Sequence, residues 1–465
     1  MEAKSPLQQP PNAKTVSLVL AIILLIIGVA VGAGATYFAT RPAPTPTPTT
    51  LNTICTSPFI TNYSGCTSIC SSGKTLTIGM LLDLSSTLST QGTRSKSVSV
   101  LAVNDINSLL SSSGCNLTFN TAISDYALND QTALTDLQNF AASGVQVVVG
   151  PLNSGTAQAI LTYANSNHIV LISPSSTSPA LAISNDYLFR TVPNDAAQGL
   201  ADARMFVDRG ATAAIIIHRD DTYGDGLADA TKVRFESLGG TVIDSIPYDH
   251  NAADAGTLDW TTTLDTLNTD FNNNVGTYGA NKIAIYAISF EEFGQMIIKA
   301  NSDYTGFPWS TLPWFGTDGE ATISKIVSGS AGPPVSQVKL PSTLFASVNN
   351  SKTLQLYSQF TNKYPSLTCD SYCLGAYDDL WLGAVATLQA GSYNGTAIQA
   401  NMLSVASSLY GVTGPLTLQF SGDRVPTGYQ IWSVVTQSGT ATWVLAGSWD
   451  NITDTVKWAN GSGPP

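Results

Sequence analysis

Charged side chains are scarce in this sequence of 465 residues, where Asp, Glu, Lys and Arg together make up 11%, against about 25% in an average soluble domain. The 32 acidic residues outnumber the 20 Lys and Arg residues, which gives a net charge of −12. No cluster of Lys and Arg could follow a phosphate backbone, so we expect no nucleic-acid partner. Hydrophobic residues still reach 43%, which excludes a disordered chain and predicts a folded protein with a large core.

Catalytic motifs are also lacking. The sequence has three histidines, His168, His218 and His250, and the first two flank apolar runs, where a structural role is expected. The motifs of serine hydrolases, zinc proteases, P-loop NTPases and dinucleotide-binding domains are all absent. We therefore predict that the protein is not an enzyme and needs no cofactor.

The N-terminal part of the sequence is typical of a membrane anchor. Residues 15–40 contain no charge and exceed the roughly 20 apolar residues that a bilayer requires. This is longer than the apolar part of a cleavable signal, although cleavage near residues 33–35 is the alternative. Lys4 and Lys14 precede the segment and favour a cytoplasmic tail over residues 1–14. A Pro/Thr stalk and a Cys-containing linker over residues 41–73 follow, so we predict a single-pass protein of the cell membrane with its binding domain outside.

The cysteines and glycosylation motifs fit an extracellular location. The six cysteines are Cys55, Cys66, Cys70, Cys115, Cys369 and Cys373, and an even number in an exported chain favours disulfides. We expect a local bridge between Cys369 and Cys373, and a second bridge from Cys115 to one of the three N-terminal cysteines. A metal site at Cys66 and Cys70 is disfavoured, because no second pair of ligands lies nearby. Six Asn-x-Ser/Thr motifs, at Asn62, Asn116, Asn349, Asn394, Asn451 and Asn460, predict a glycoprotein.

From residue 74 onward, short apolar runs alternate with longer amphipathic segments. The pattern predicts strands at 76–82, 117–124, 145–149, 169–172, 213–217, 241–246, 282–287 and 312–315. It predicts helices at 95–110, 131–142, 156–165, 197–209, 226–238, 260–271 and 293–300, and another at 376–388. Short, fully apolar strands indicate parallel sheets covered by helices, so the fold class is α/β with two doubly wound units. Ligands of such sheets bind at the carboxyl ends of the strands.

The loops at these carboxyl ends are rich in Gly, Ser and Thr. Ser154 and Thr177 would place hydroxyls and backbone N–H groups at helix N-termini, where a carboxylate could bind. The alternative is that both are ordinary helix caps.

The same loops carry a resemblance to a known family. The segments that match, in order, are GPLNS (150–154), ISPSSTSPAL (172–181), FRTVPND (189–195), DTYGDGL (221–227), EFGQ (292–295) and AYDD (376–379). Together they resemble the type 1 periplasmic binding proteins, in particular the branched-chain amino-acid (Leu/Ile/Val) receptors of ABC transporters, over roughly residues 74–450.

The resemblance implies a clamshell of two lobes with Rossmann-like parallel sheets, joined by three hinge crossovers. Lobe 1 would comprise residues 74–193 and 348–420, lobe 2 residues 194–347 and 421–458, and residues 459–465 a tail. The implied function is capture of an amino acid or similar small zwitterion, which is delivered to an ABC permease and its ATPases. The alternatives are a surface sensor or structural protein with the same fold, or a receptor for an amide or another small polar solute.

Ligand residues are implied position by position. Ser154, Ser175 and Thr177 would hold the carboxylate, Tyr223 would close from the second lobe, and Asp318 would bind the ammonium group. Asp318 is shorter than the usual Glu, which makes Glu320 the fallback. Gln91 replaces an aromatic residue, and Phe290 lies near another aromatic position of the wall.

Segment 249–281 is longer than in the resembled family. Its residues Asp249, Asn251 and Asp254 partly match a calcium loop, but the required fifth and sixth positions do not, so no metal is expected.

Overall fold

The computed structural model describes residues 63–459 of the chain. The predicted anchor at 15–40, the stalk, Cys55, Asn62 and Asn460 lie outside these residues, and the predictions about them stay predictions. Within residues 63–459, no helix is both long and apolar enough to cross a membrane.

Five parallel strands form the first sheet, in the order β2-β1-β3-β4-β5. A short helix α1 (Cys66–Cys70) precedes β1 (Thr75–Leu82), β2 (Thr118–Asp125), β3 (Val147–Val149), β4 (Val170–Ser173) and β5 (Leu188–Arg190). The connecting helices are α2 (Ser89–Ser112), α3 (Asp130–Ala142) and α4 (Ser154–Asn167). Strands β3 and β4 are buried throughout, as expected where helices cover both faces.

Four parallel strands form the second sheet, in the order β7-β6-β8-β9. They are β6 (Ala213–Arg219), β7 (Thr241–Tyr248), β8 (Ile283–Ile288) and β9 (Trp314–Phe315). The helices here are α5 (Asp195–Asp208), α6 (Thr222–Ser237), α7 (His250–Asp254), α8 (Thr261–Tyr278) and α9 (Phe293–Asp303). The predicted alternation of strands and helices is confirmed through both sheets, with bounds that shift by a few residues.

An antiparallel extension of the second sheet was not predicted. It contains β10 (Ser342–Phe345), β13 (Tyr429–Gln437), β14 (Thr440–Asp450) and β15 (Thr455–Trp458), and the two-residue strands β11 (Tyr410–Gly411) and β12 (Gly414–Pro415) pair separately. Gly316, directly after β9, pairs with Ser342 at the start of β10 and joins the parallel and antiparallel parts. Ser438 and Gly439, with φ of 50° and 82°, turn the β13-β14 hairpin, as two left-handed residues do in type I′ turns.

The chain passes three times between the two sheets, after β5, after β10 and before β13. Helices α10 (Gly332–Val338), α11 (Ser351–Lys363), α12 (Ser371–Ala390) and α13 (Gly395–Ser408) complete the described chain. Helix α12, which contains the helix predicted at 376–388, packs on α2, β3 and β4. We call the first sheet with its helices, including α11 to α13, the first half, and the remaining elements from α5 to β10 and β13 to β15 the second half.

Disulfides connect the predicted cysteines. Cys70 is joined to Cys115, and Cys369 to Cys373, which confirms the predicted local bridge and the pairing of Cys115 with an N-terminal cysteine. Cys66 is disulfide-bonded as well. The hydroxyl of Ser68, on α1, also donates to the backbone oxygen of Gly391 at the end of α12 (2.9 Å). Helix α1 is thereby fixed to the first half.

Four glycosylation motifs lie in the described part of the chain. Asn116, Asn349 and Asn394 are exposed, and Asn451 is half-buried. Their modification stays a prediction.

Loss of the Cys70–Cys115 bridge should destabilise the fold more than loss of the Cys369–Cys373 bridge. The first bridge spans 45 residues and the second 4, and closure of a longer loop removes more entropy from the unfolded chain. We expect double Ser variants to lower the free energy of unfolding by about 4 and about 2 kcal/mol, respectively. Urea unfolding of the oxidised proteins measures this difference, and equal losses would contradict it.

Candidate functional site

A narrow cavity lies where the carboxyl ends of the two parallel sheets face each other. Its volume is about 250 Å³, including the part that is open to solvent. The lining residues are Leu88, Gln91, Leu152, Asn153, Ser154, Ser175, Tyr223, Phe290, Asp318, Gly319 and Tyr372. All but Tyr372 follow a strand of one of the two sheets, which is the position where α/β folds of this kind bind ligands.

The structure brings six of the seven predicted ligand residues to this cavity. They are Gln91, Ser154, Ser175, Tyr223, Phe290 and Asp318. Thr177 is not among the lining residues, and Tyr372, which the sequence reasoning missed, is. Tyr372 is the second residue of α12 and lies inside the loop closed by the Cys369–Cys373 bridge. Its only sequence signal was its place inside this predicted bridge, because the predicted helix began later, at residue 376.

Ser154 presents a hydrogen-bond donor from the first half. It is the first residue of α4, after Asn153 at the N-cap. The Ser154 Oγ atom accepts hydrogen bonds from the backbone N–H groups of Thr177 and Ser178, both at 3.0 Å. Because both lone pairs of the hydroxyl are used, its hydrogen is left to donate. Together with the positive end of the α4 dipole, this favours an anionic group.

Two predicted ligand residues in this region make hydrogen bonds within the protein. Thr177 was expected at a helix N-terminus facing the ligand, but it precedes only a three-residue helical turn (Pro179–Leu181) that Ser178 caps. Its N–H group holds Ser154 in place. The Ser175 hydroxyl donates to the backbone oxygen of Leu152 at 2.8 Å, so it can offer only an acceptor to the cavity.

Asp318 presents a carboxylate from the second half, and its side chain is satisfied by neutral donors. Tyr223 Oη and Gln198 Nε2 donate to its Oδ1 atom at 2.7 Å and 2.8 Å, and Tyr372 Oη donates to Oδ2. Asp318 is 3% exposed, and this burial raises its pKa, while the hydrogen bonds of Tyr372, Tyr223 and Gln198 oppose the rise. A carboxylate has about four lone-pair positions, so the Oδ2 atom can accept one further donor.

Three more acidic side chains surround Asp318 and are fully buried. These are Asp195, Asp202 and Glu320. Within residues 63–459, none of the four forms an ion pair with Lys, Arg or His. Burial raises the pKa of Asp202 to about 8 and that of Glu320 to about 8, and burial followed by the charge of Asp318 raises the pKa of Asp195. These raised pKa values favour the protonated, neutral forms of the three acids, and a cationic group bound beside Asp318 would favour the ionised forms.

Glu320, the fallback for the ammonium site, does not line the cavity. Its carboxylate accepts backbone N–H groups of Ser289 at 2.8 Å and Thr317 at 2.7 Å. It thereby ties together the loops after β8 and β9. Between these loops, a Cβ atom on Gly319 would lie 2.1 Å from the backbone oxygen of Ser289, so only glycine fits there.

Aromatic rings form one wall of the cavity. Tyr223 and Phe290 stack with their centroids 5.3 Å apart and an interplanar angle of 16°. The guanidinium carbon of Arg219 packs on the Phe290 ring as well, 4.1 Å from the ring centroid. Asp221 caps α6 by accepting the N–H group of Tyr223 at 3.1 Å. This wall is therefore fixed by residues of β6 and its following loop.

A metal site is not formed here. Within residues 63–459, no group of three or more His, Cys, Asp and Glu side chains could hold a metal ion. Asp249 caps the short helix α7 instead of shaping a calcium loop, and His250 Nδ1 lies 2.6 Å from Asp220 Oδ1.

Replacement of Asp202 by Asn should flatten the pH dependence of stability. The folded pKa of Asp202 is about 8, above the unfolded value of about 3.9, so the folded chain binds the extra proton. This stabilisation is complete below about pH 4 and is lost as the pH rises through about 8. Urea unfolding between pH 5 and 8 should give a shallower decrease for the Asp202→Asn variant than for the unmodified protein.

The exposed Asp229 provides the control for this measurement. Its replacement by Asn should leave the slope of stability against pH unchanged. An unchanged slope in the Asp202→Asn variant would show that this carboxyl group is already ionised in the folded protein.

Comparison with known proteins identifies relatives over most of the chain. Residues 94–437 match the family model described as the receptor family ligand-binding region. An uncharacterised protein of Methanocaldococcus jannaschii is 30% identical over 399 residues, which are 82% of this chain and 91% of that protein.

Two solved structures share the fold. The leucine-binding protein LivK of Thermotoga maritima superposes with a TM-score of 0.66 at 18% identity, over 83% of this chain and 99% of that chain. The branched-chain amino acid transporter substrate-binding protein LivJ of Streptococcus pneumoniae, in complex with isoleucine, gives a TM-score of 0.62 at 21% identity, over 80% of this chain and 99% of that chain.

Proposed function

We propose that this chain captures an amino acid or similar small zwitterion. The premise is that the chain belongs to the receptor family ligand-binding region and has the type 1 periplasmic binding fold. The family and its structural neighbours are binding proteins. The two halves would close over the ligand, and the loaded protein would deliver it to an ABC permease with its ATPases. The name of the isoleucine-bound neighbour describes such a transporter component.

The opposite polarity of the two cavity walls carries this proposal. The first half offers the Ser154 hydroxyl hydrogen and the start of α4 to a carboxylate. The second half offers the buried Asp318 carboxylate to an ammonium group. A zwitterion satisfies both walls at once, whereas a simple amine or a simple acid satisfies only one.

Closure of the cleft follows from this division of contacts. A ligand shifts an equilibrium between open and closed forms only by its differential affinity for them. The ligand touches Ser154 in either form, but it reaches Asp318 and Tyr223 at the same time only when the halves meet. The closed form is therefore the one that the zwitterion stabilises, as in hinge closure of other two-lobed binding proteins.

The lining favours a small ligand with a polar or compact side chain. Gln91 is buried at the cavity, and the rings of Tyr223, Phe290 and Tyr372 occupy much of the remaining lining. A small amino acid or its amide suits this space better than a bulky one.

We also propose that the N-terminal segment 15–40 anchors the protein, with the binding domain outside the cell. The apolar length of that segment supports this placement. Disulfides at Cys70–Cys115 and Cys369–Cys373 support an oxidising compartment. The predicted lobe boundaries and the partnership with a permease are part of the same proposal.

A thermal-shift screen of the full chain against amino acids, amides and small organic acids tests the function. A ligand at 100 times its dissociation constant raises the free energy of unfolding by about 2.7 kcal/mol. We expect at least one small amino acid or amide to raise the melting temperature. If no zwitterion shifts it while a simple acid does, the proposed ligand class is wrong.

Replacement of Asp318 by Asn should weaken binding of the zwitterion by at least about 30-fold, because the ammonium group is left desolvated without a countercharge. Titration calorimetry with the ligand from the screen measures this loss. The exposed Asp229, on the same half, gives the matched control, and Asp229→Asn should bind as the unmodified protein does. Equal affinity of the Asp318 variant would remove this residue from the site.

Replacement of Ser154 by Ala should weaken binding of an amino acid but not of its decarboxylated amine, because the Ser154 hydroxyl is expected to contact only the carboxylate. A charge-assisted hydrogen bond contributes about 1.5–3 kcal/mol, which corresponds to a loss of about 10- to 100-fold. Thr177→Val should have a smaller effect, since the backbone N–H group that holds Ser154 remains. Parallel titrations with the two ligands separate these outcomes, and equal losses for both ligands would contradict the assignment.

A further inference from the structure

The segment after β7 reaches across the mouth of the cleft. The segment begins with Asp249, which caps helix α7, and the helix ends at Asp254. The sequence analysis singled out this segment only as a poor match to a calcium loop, and the proposed ligand contacts do not use it. In the structure, Asp254 belongs to the second half but makes hydrogen bonds to the first.

Two of these hydrogen bonds cross between the halves. Thr87 Oγ1 donates to Asp254 Oδ1 at 2.5 Å, and Ser86 Oγ donates to the Asp254 backbone oxygen at 2.8 Å. Thr87 is buried, and the next residue, Leu88, lines the ligand cavity. Closure of the cleft therefore brings a hydroxyl donor to an ionisable carboxyl group beside the cavity.

The loop that carries Thr87 is held in one shape. Asp83 accepts the backbone N–H groups of Ser86 at 2.8 Å and Leu88 at 2.7 Å. Nearby, the N–H group of Thr90 donates to Glu291 Oε1 at 2.9 Å, again between the halves. The loop therefore keeps one conformation in which it can contact the second half. Protection of the Thr90 amide from exchange reports whether this contact is formed.

Arg219 connects Asp254 to the ligand cavity. Its guanidinium is fully buried and forms ion pairs with Asp254 at 2.8 Å, Asp221 at 2.8 Å and Glu292 at 2.6 Å. The same guanidinium lies over the Phe290 ring of the cavity wall. Asp221, in turn, positions Tyr223 through its backbone N–H group. One arginine therefore fixes both the contact at the cleft mouth and the aromatic wall.

We propose that Asp254 is a positioning residue that latches the cleft in its closed form through Thr87 and, through Arg219, couples this latch to the ligand wall. The inference rests on the proposed function, because it assigns a regulator of affinity at the same site. Its contact with Thr87 exists only when the halves meet, so it contributes to the closed form alone. In this proposal the ligand leaves only after the halves separate, so a residue that never touches the ligand sets how long the ligand is held.

The test replaces Thr87 by Val, which keeps the shape of the side chain and removes the donor to Asp254. A hydrogen bond to a charged group supports about a tenfold change in an equilibrium constant. We expect the ligand dissociation rate, measured by stopped flow, to rise about tenfold, while the association rate changes less than twofold. A structural defect would instead alter the association rate or the amount of active protein.

Two control residues lie beside the two latch residues, one on the loop that carries Thr87 and one on the helix that carries Asp254. Ser85 is exposed on the loop before Thr87, and Asn251 is exposed on α7 before Asp254. Ser85→Ala and Asn251→Ala should leave both rates unchanged. The Asp254→Asn variant keeps an acceptor for Thr87 but weakens the pair with Arg219, so its dissociation rate should also rise.

Hydrogen exchange of the ligand-free full chain tests, without any ligand, whether the contact between Thr87 and Asp254 stabilises the closed form. Exchange at the Thr90 amide should be about tenfold faster in Thr87→Val than in Ser85→Ala, because the closed form is less populated. Equal exchange in the two variants would overturn the latch even if no ligand is found. A ligand that binds with an unchanged dissociation rate in Thr87→Val would overturn the latch and leave the proposed function standing.

Discussion

The candidate site depends on Asp318, a buried carboxylate for which residues 63–459 provide no cationic partner. Asp318 is held by the two hydroxyls of Tyr223 and Tyr372 and by the amide of Gln198, and none of these carries a charge. A buried ion that only neutral dipoles compensate has an incomplete solvation shell. The ammonium group of the proposed ligand would therefore complete an interaction that water cannot supply inside the cavity. A cation bound beside Asp318 would also favour the ionised forms of Asp195 and Asp202, whose pKa values burial raises.

The fold explains how the polar groups of the cavity are held in place before a ligand binds. Both parallel sheets end at the cavity, so each half contributes several short loops with backbone donors and small side chains. Rigid anchors behind the loops keep these groups in place, such as Glu320 between the loops after β8 and β9 and Asp83 in the loop after β1. The polar groups are thus arranged before the ligand arrives, which reduces the cost of ordering them on binding.

Much of the fold was predictable because its signals are local. Short apolar runs such as 145–149 and 213–217 can be buried on both faces only in covered parallel sheets. The loop after the first run led to Ser154, whereas Tyr223 and Asp318 came from the family resemblance. The hairpin of β13 and β14 was missed, although Ser438-Gly439 between two β-branched runs was its signal. Tyr372 was missed because only the passages between the halves bring it to Asp318, and Gln198 was missed because it lies 120 residues before Asp318 in the same half. Contacts of this kind have no local signature.

Helix α1 attaches the N-terminal side of the described chain to the first half only, and this bears on the proposed anchor. Helix α1 is tied to Cys115 through Cys70 and to Gly391 through Ser68, and both partners belong to the first half. If the segment before residue 63 anchors the protein as proposed, the first half would be the stationary jaw. The second half, with Asp318 and Asp254, would then be the jaw that swings, so the side chains proposed to recognise the cation and to latch the cleft would travel together on the moving part.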